Sequence, residues 1–186
     1  RFNYHSAIFS TSGFTSGAVS YAIAHQIFLI QYAHVPIIQP LIDAIVDSAR
    51  SVDGAFVLGC EPDSDYNRTV ITIVGKPKAV IQAAYNLIIK SSELIDMRKH
   101  SGNHPRMGAV DVCPFVPVSE HSMDYCVQAS RELSNLLGDN IPHFFYGEAA
   151  TKEKRKSLSS LRKLEYEGLE SRFNGDEWND EETRMP

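Results

Sequence analysis

From Pro36 onward, apolar residues at helical spacing alternate with short β-branched runs, and this alternation constrains the fold more than any other feature of the chain. Ile38, Leu41, Ile42, Ile45 and Val46 place one apolar stripe on a helix that tolerates Pro40 near its start, and Gly54 stops it. Ala55 to Leu58 reads as a short strand, and Glu61 to Tyr66 as a polar loop. Thr69 to Val74 is apolar or β-branched almost throughout, which suits a strand covered on both faces. Gly75-Lys76-Pro77 is a turn leading into a long amphipathic helix marked by Val80, Ala83, Ala84, Leu87, Ile88, Leu94 and Ile95, ending before Gly102. Ala109 to Val118 is expected as a strand, which Pro114 and Pro117 make an edge, bulged or short one. Ser122 or Ser119 caps the next helix, whose inner stripe is Cys126, Ala129, Ser130, Leu133 and Leu137, and Gly138 ends it. Ile141 to Tyr146 is the last expected strand, and Thr151 to Glu167 a charged helix. The pattern predicts an α/β (α+β) fold, a mixed β-sheet with helices packed mainly on one face.

A chain of 186 residues suits one domain with a real core. Residues 1–35 form an uncharged extension, 36–175 the domain and 176–186 an acidic tail. The net charge of -5 argues against general nucleic-acid binding, which needs a basic footprint. Cys60, Cys113 and Cys126 are odd in number and form no C-x-x-C, so a reduced, intracellular protein is the simplest reading, with a cytoplasmic location expected and organellar targeting the alternative. Between Arg1 and Asp43 there is no Asp, Glu, Lys or Arg. The apolar stretch Ala18 to Ile38 is interrupted by His25, Gln26, Gln31, His34 and Pro36, which weighs against a membrane span and for an extension or a helix packed on the domain.

His104 to Val118 carries the candidate chemistry. It sets a histidine and an arginine on a loop constrained by Pro105 and Gly108, running into an apolar segment. Histidine accepts and returns a proton near neutral pH, and arginine grips carboxylates with a planar fork. For Arg106 two readings stand level: a bidentate anchor for a substrate carboxylate, or a structural partner of an acid such as Asp111. Arg68 carries the same two readings. His100 and His104 are four apart, but Gly102 and Pro105 break any helix that would pair them on zinc, so no metal is expected. Asp63 and Asp65 lack the glycine and terminal glutamate of a calcium loop, and Cys113 reads as a small buried residue. The Lys152 to Lys156 run reads as a solvated helical face.

The string His-Pro-Arg-Met-Gly-Ala-Val-Asp-Val-Cys-Pro-Phe-Val-Pro-Val resembles the signature of the formiminotransferase N-terminal subdomain family. The resemblance continues through Asn67-Arg68-Thr69-Val70, Leu94-Ile95-Asp96-Met97 and Tyr146-Gly147-Glu148-Ala149-Ala150, over roughly residues 36 to 178. It implies a layered α/β fold and transfer of a formimino group from formiminoglutamate to tetrahydrofolate, with both small molecules as substrates and His104 as the acid/base. It also implies substrate-binding roles for Arg106, Glu61, Arg68, Asn67 and Gly147, and a homodimer. Where the family has Asp-x-Gly, this chain has Glu61-Pro62-Asp63, one methylene longer and without the glycine. The family's opening Pro-Asn-Phe-Ser-x-Gly type segment is not found, and after Trp178 the chain lacks the Pro-Asp-Phe-Gly-Pro-type folate loop and the second subdomain. The alternative reading is therefore a non-catalytic binding or regulatory module, truncated or alternatively spliced.

Overall fold

The structure, a computed structural model, describes residues 39–118, 121–174 and 183–184. The apolar stretch Ala18 to Ile38 and most of the acidic tail lie outside the described residues. No helix among the described residues is long and apolar enough to cross a membrane.

Helix α1 (Gln39–Arg50) buries Ile42, Ile45, Val46 and Ala49, a stripe at three- and four-residue intervals. Strands β1 (Ala55–Asp63) and β2 (Arg68–Gly75) form an antiparallel hairpin that runs from the pair Ala55 and Gly75 to the pair Asp63 and Arg68. The register slips between Val57 and Gly59, so Leu58 is the extra residue of a bulge. β1 reaches past the expected Leu58 through Glu61 and Pro62, leaving only Ser64 to Asn67 as the loop. β2 is buried almost end to end, as its unbroken β-branched run requires. Gly75 has no room for a side chain, since a Cβ there would lie 2.1 Å from the Gly54 carbonyl oxygen.

Helix α2 (Pro77–Leu94) starts on proline, whose missing N–H costs nothing in the first turn, and lays Val80, Ala83, Ala84, Leu87 and Ile88 on the hairpin and α1. Asp96 then caps a 3₁₀ turn, Met97–Lys99, by accepting the Arg98 amide at 3.2 Å. Helix α3 (Met123–Leu137) begins at Ser122, whose hydroxyl accepts the Tyr125 amide at 3.4 Å, and ends at Gly138 with φ +57°. It buries Cys126, Ala129, Leu133, Ser134 and Leu137 against α2. The core is this stack of helix on helix on hairpin, with Ile45, Ile73, Ala83, Ala84 and Leu87 wholly shielded. The α/β class follows, with small antiparallel sheets among the described residues.

Three elements differ from their expected form. Ala109 to Val118 makes no ladder and runs as bends and irregular chain. The expected strand near Ile141 is the short β3 (His143–Phe144), paired with β4 (Thr183–Arg184). The helix expected over Thr151 to Glu167 is broken into α4 (Glu153–Lys156), α5 (Leu158–Leu161), a 3₁₀ turn Tyr166–Gly168 and α6 (Leu169–Phe173). Leu164 and Glu165 take positive φ at the break. The arginine contacts described next account for it: they hold Glu165 and Glu167 at one guanidinium, and Arg172 donates to the carbonyls of Leu161 and Lys163. Those bonds outweigh helix propensity, which is worth only tenths of a kcal/mol per residue, about 0–0.7.

Candidate functional site

The β1–β2 loop and the loop that carries His104 are knitted together by short-range polar contacts. Asp63 Oδ1 accepts the amides of Asp65 and Tyr66 at 3.0 and 3.2 Å and shapes the hairpin turn. Asn67 follows with φ +51°, a conformation asparagine tolerates. Its Nδ2 donates to the Ser101 carbonyl at 2.6 Å, and His100 Nε2 donates to the Asn67 carbonyl at 3.1 Å. Asn103 Nδ2 donates to the Asp65 carbonyl at 3.3 Å.

Gly102 makes the approach possible: a Cβ there would sit 2.7 Å from the Tyr66 carbonyl oxygen. Gly102→Ala is expected to push the two loops apart and cost about 1–3 kcal/mol, the range for overpacking. Urea unfolding measures the cost, and loss of the Asn67–Ser101 contact would appear in amide spectra. A variant as stable as the parent would show that the loops are not held by this fit.

The closed loops bring four side chains together. The edge of one ring meets the face of the other between His104 and Tyr66, with centroids 6.1 Å apart. The Arg68 guanidinium lies 4.5 Å from the centroid of the same Tyr66 ring, and Arg68 meets Asp63 at 3.8 Å. His104 and Arg68 are both buried. Burial, then the positive charges of Arg68 and Arg162, push the His104 imidazole below its ordinary value of 6.5, with Asp111 opposing. It is therefore neutral at pH 7, the state a general base needs. Beside it, Asp111 holds Arg162 in a buried ion pair and accepts the Met107 amide at 2.9 Å.

Arg106 is committed to the protein. Its Nη1 donates to Glu165 at 2.9 Å, and its Nη2 to Glu167 at 2.5 Å and to the His100 carbonyl at 2.9 Å. Its carboxylate partners are thus Glu165 and Glu167, while Asp111 belongs to Arg162. Glu61 is exposed on β1 opposite Val70, two places before Asp63, which is the acid that reaches Arg68. Gly147 opens a 3₁₀ turn with φ +57° and borders a cavity rather than the His104 cluster. Tyr66, Asp63, Asp111 and Arg162 are the members that sequence reasoning did not assign to the site. The Asp63-to-Asn67 turn pattern could have pointed to the first two, but Arg162 lies 51 residues from Asp111 and has no local signal.

Two cavities among the described residues, of about 340 and 1240 Å³, do not include His104 in their walls. The smaller cavity is walled mainly by apolar side chains, while Asp96, Arg98, Glu167 and Glu170 are in the wall of the larger. All three cysteines are free, and burial pushes the Cys113 thiol up to about 12 and Cys126 up to about 11, so neither is a nucleophile at neutral pH. Among the described residues no group of three or more His, Cys, Asp or Glu side chains could hold a metal ion.

An α/β domain that presents a neutral histidine among arginines, on a loop locked to a β-hairpin, is the class defined by this geometry. Residues 38–184 match the formiminotransferase domain, N-terminal subdomain, and the chain belongs to that family. It is 44% identical over 142 residues to a formimidoyltransferase-cyclodeaminase of Dictyostelium discoideum, covering 75% of this chain and 26% of that protein. It is 39% identical over 142 residues to a glutamate formimidoyltransferase of Streptococcus pyogenes serotype M1, covering 75% and 48%. A glutamate formimidoyltransferase of Thermoplasma acidophilum is 38% identical over 141 residues, covering 74% and 46%. The chain therefore spans between about a quarter and half the length of these relatives.

Proposed function

We propose that this chain carries the acid/base half of a folate-dependent one-carbon transferase, moving a formimino group from formiminoglutamate to tetrahydrofolate. The observation that carries this reading is the buried pairing of a neutral His104 with Arg68 through Tyr66, in a chain of this family. The folate nitrogen attacks the amidine carbon, and His104 takes the proton that this nitrogen sheds. The tetrahedral intermediate then expels the glutamate nitrogen, which receives the proton back from the imidazolium. One C–N bond forms, one breaks, and the imidazole ends as it began.

Arg68 and Arg162 supply the positive field that favours a substrate carboxylate near His104. Asn67 fixes the loop and Arg106 braces it from behind. Glu61 and Gly147 remain candidate contacts at the margin, for the amidinium and for the folate respectively. A cytoplasmic setting fits three cysteines that are all free. Self-association as a homodimer is read by sedimentation. The test of the reading is single-turnover transfer from formiminoglutamate to tetrahydrofolate. Folate binding without turnover would support the second reading, a binding module, which is favoured by a His104 that lines neither cavity. Failure to bind folate would sink both.

His104 and His100 also make stability depend on pH. Burial, as the largest cause in each case, lowers both histidines below their unfolded value. The unfolded chain thus binds protons that the folded chain refuses. Stability is full above about pH 6.5 and falls as pH drops through the depressed folded range. Asp96 and Glu167 are shifted in the carboxylate range, so they act below this window. The urea midpoint should fall between about pH 7.5 and 5.5, and fall less in the His100→Gln variant. A flat midpoint across that window would refute the buried neutral state.

A further inference from the structure

His104 and Arg68 are 8% and 5% exposed, and neither stands in the wall of the cavities of about 340 and 1240 Å³. A general base must come within about 2.6–3.2 Å of the atom whose proton it takes, so this is the covered state of the site. Tyr66 touches both groups and is itself 43% exposed. Its ring stands perpendicular to the His104 imidazole with centroids 6.1 Å apart, and the Arg68 guanidinium lies 4.5 Å from its centroid. One aromatic side chain therefore stands between solvent and both groups. The backbone beneath it is fixed: the Tyr66 amide donates to Asp63 Oδ1 at 3.2 Å, and Gly102 is pressed against the Tyr66 carbonyl. The hydroxyl makes no hydrogen bond to a described residue, so the side chain is held there by its ring contacts and can change rotamer. Exposed side chains do so within nanoseconds, far faster than a turnover of about 1–10³ per second.

We propose that Tyr66 is the gate of this site: when its ring swings outward it uncovers the His104 imidazole and the Arg68 guanidinium together. The gate couples the two groups that the reaction needs. Arg68 meets Asp63 at 3.8 Å, near the outer limit of an ion pair, so a carboxylate-bearing substrate competes for it once the ring has moved. That carboxylate then occupies the guanidinium and keeps the ring from falling back, which leaves His104 open to the nitrogen that sheds its proton. Without substrate the ring returns and shields the base from water. The Asn67–Ser101 contact and the close fit at Gly102 keep the loops shut throughout, so the opening needs a side chain and not a loop. The inference deepens the proposed function and rests on it for the substrate, while the gate itself is readable with no substrate present.

Carbethoxylation of the full chain by diethyl pyrocarbonate, resolved histidine by histidine by mass spectrometry, tests this. His121 is exposed and sets the fast reference. His104 should react slowly in the parent. Tyr66→Ala should speed it by about 10-fold or more, as expected where an open state holds about 0.1–10% of the population. Phenylglyoxal should label Arg68 faster in the same variant. Tyr66→Phe keeps the ring and should match the parent in both reactions. His100, 6% exposed in the same loops and bonded to the Asn67 carbonyl, should stay slow. A fast His104 in the parent or in Tyr66→Phe, or a slow one in Tyr66→Ala, overturns the gate. So does an Arg68 that Tyr66→Ala leaves unlabelled, and so does a His100 that speeds up with His104, which would mean that the loops themselves have come apart. None of these readouts depends on transfer, so failure of the gate and failure of the transferase reading are told apart.

Discussion

His104→Ala is expected to slow single-turnover formimino transfer by about 10²–10⁴-fold, the usual worth of a positioned general acid/base. The imidazole has both properties the step asks for. Burial and the charges of Arg68 and Arg162 keep it neutral at pH 7, and Tyr66 and the locked loops hold it in place. The substitution leaves the Arg68–Tyr66 stack intact, so folate affinity should change little. A drop in turnover with unchanged affinity identifies a proton-transfer role. A parallel loss of affinity and fold would instead make His104 a structural residue. In the parent, the base limb of the pH–rate profile should lie below pH 6.5, because the free-enzyme imidazole is depressed.

Asp111→Ala is expected to cost about 3–5 kcal/mol of stability, the range for removing one partner of a buried ion pair. The Asp111 carboxylate is 1% exposed and Arg162 12%, so the arginine left behind has little water to turn to. The Met107 amide also loses its acceptor. Urea unfolding reads the loss as a shift in midpoint at constant slope. The double variant Asp111→Val with Arg162→Met should recover much of it, since an apolar pair needs no partner charge. If the single variant lost less than about 1 kcal/mol, the pair would be acting like a solvated surface bridge.

Much of the scaffold is legible in the residues. α1, α2 and α3 appear wherever apolar side chains recur at three and four places; α2 starts at Pro77, Ser122 and Gly138 bound α3, and α1 ends at Arg50, four residues before Gly54. β2 is legible as an unbroken β-branched run. Ala109 to Val118 has strand composition but no ladder, because a strand is completed by its neighbour rather than by its own sequence. The Thr151 to Glu167 helix is lost for a related reason: its acids are claimed by Arg106, 59 and 61 residues away.

The candidate site divides along the same line. The sequence alone determined the family, helices α1 to α3, the run that becomes β2, and the placing of His104 on a turn-rich loop and of Arg68 where the β1–β2 loop ends, because periodicity, caps and turn chemistry act over a few residues. Only the tertiary structure decided that the two loops close on each other, that Arg106 serves Glu165 and Glu167, and that Asp111 holds Arg162. Those pairings join groups as far as 61 residues apart, and which charge meets which depends on how the whole chain closes rather than on any local preference.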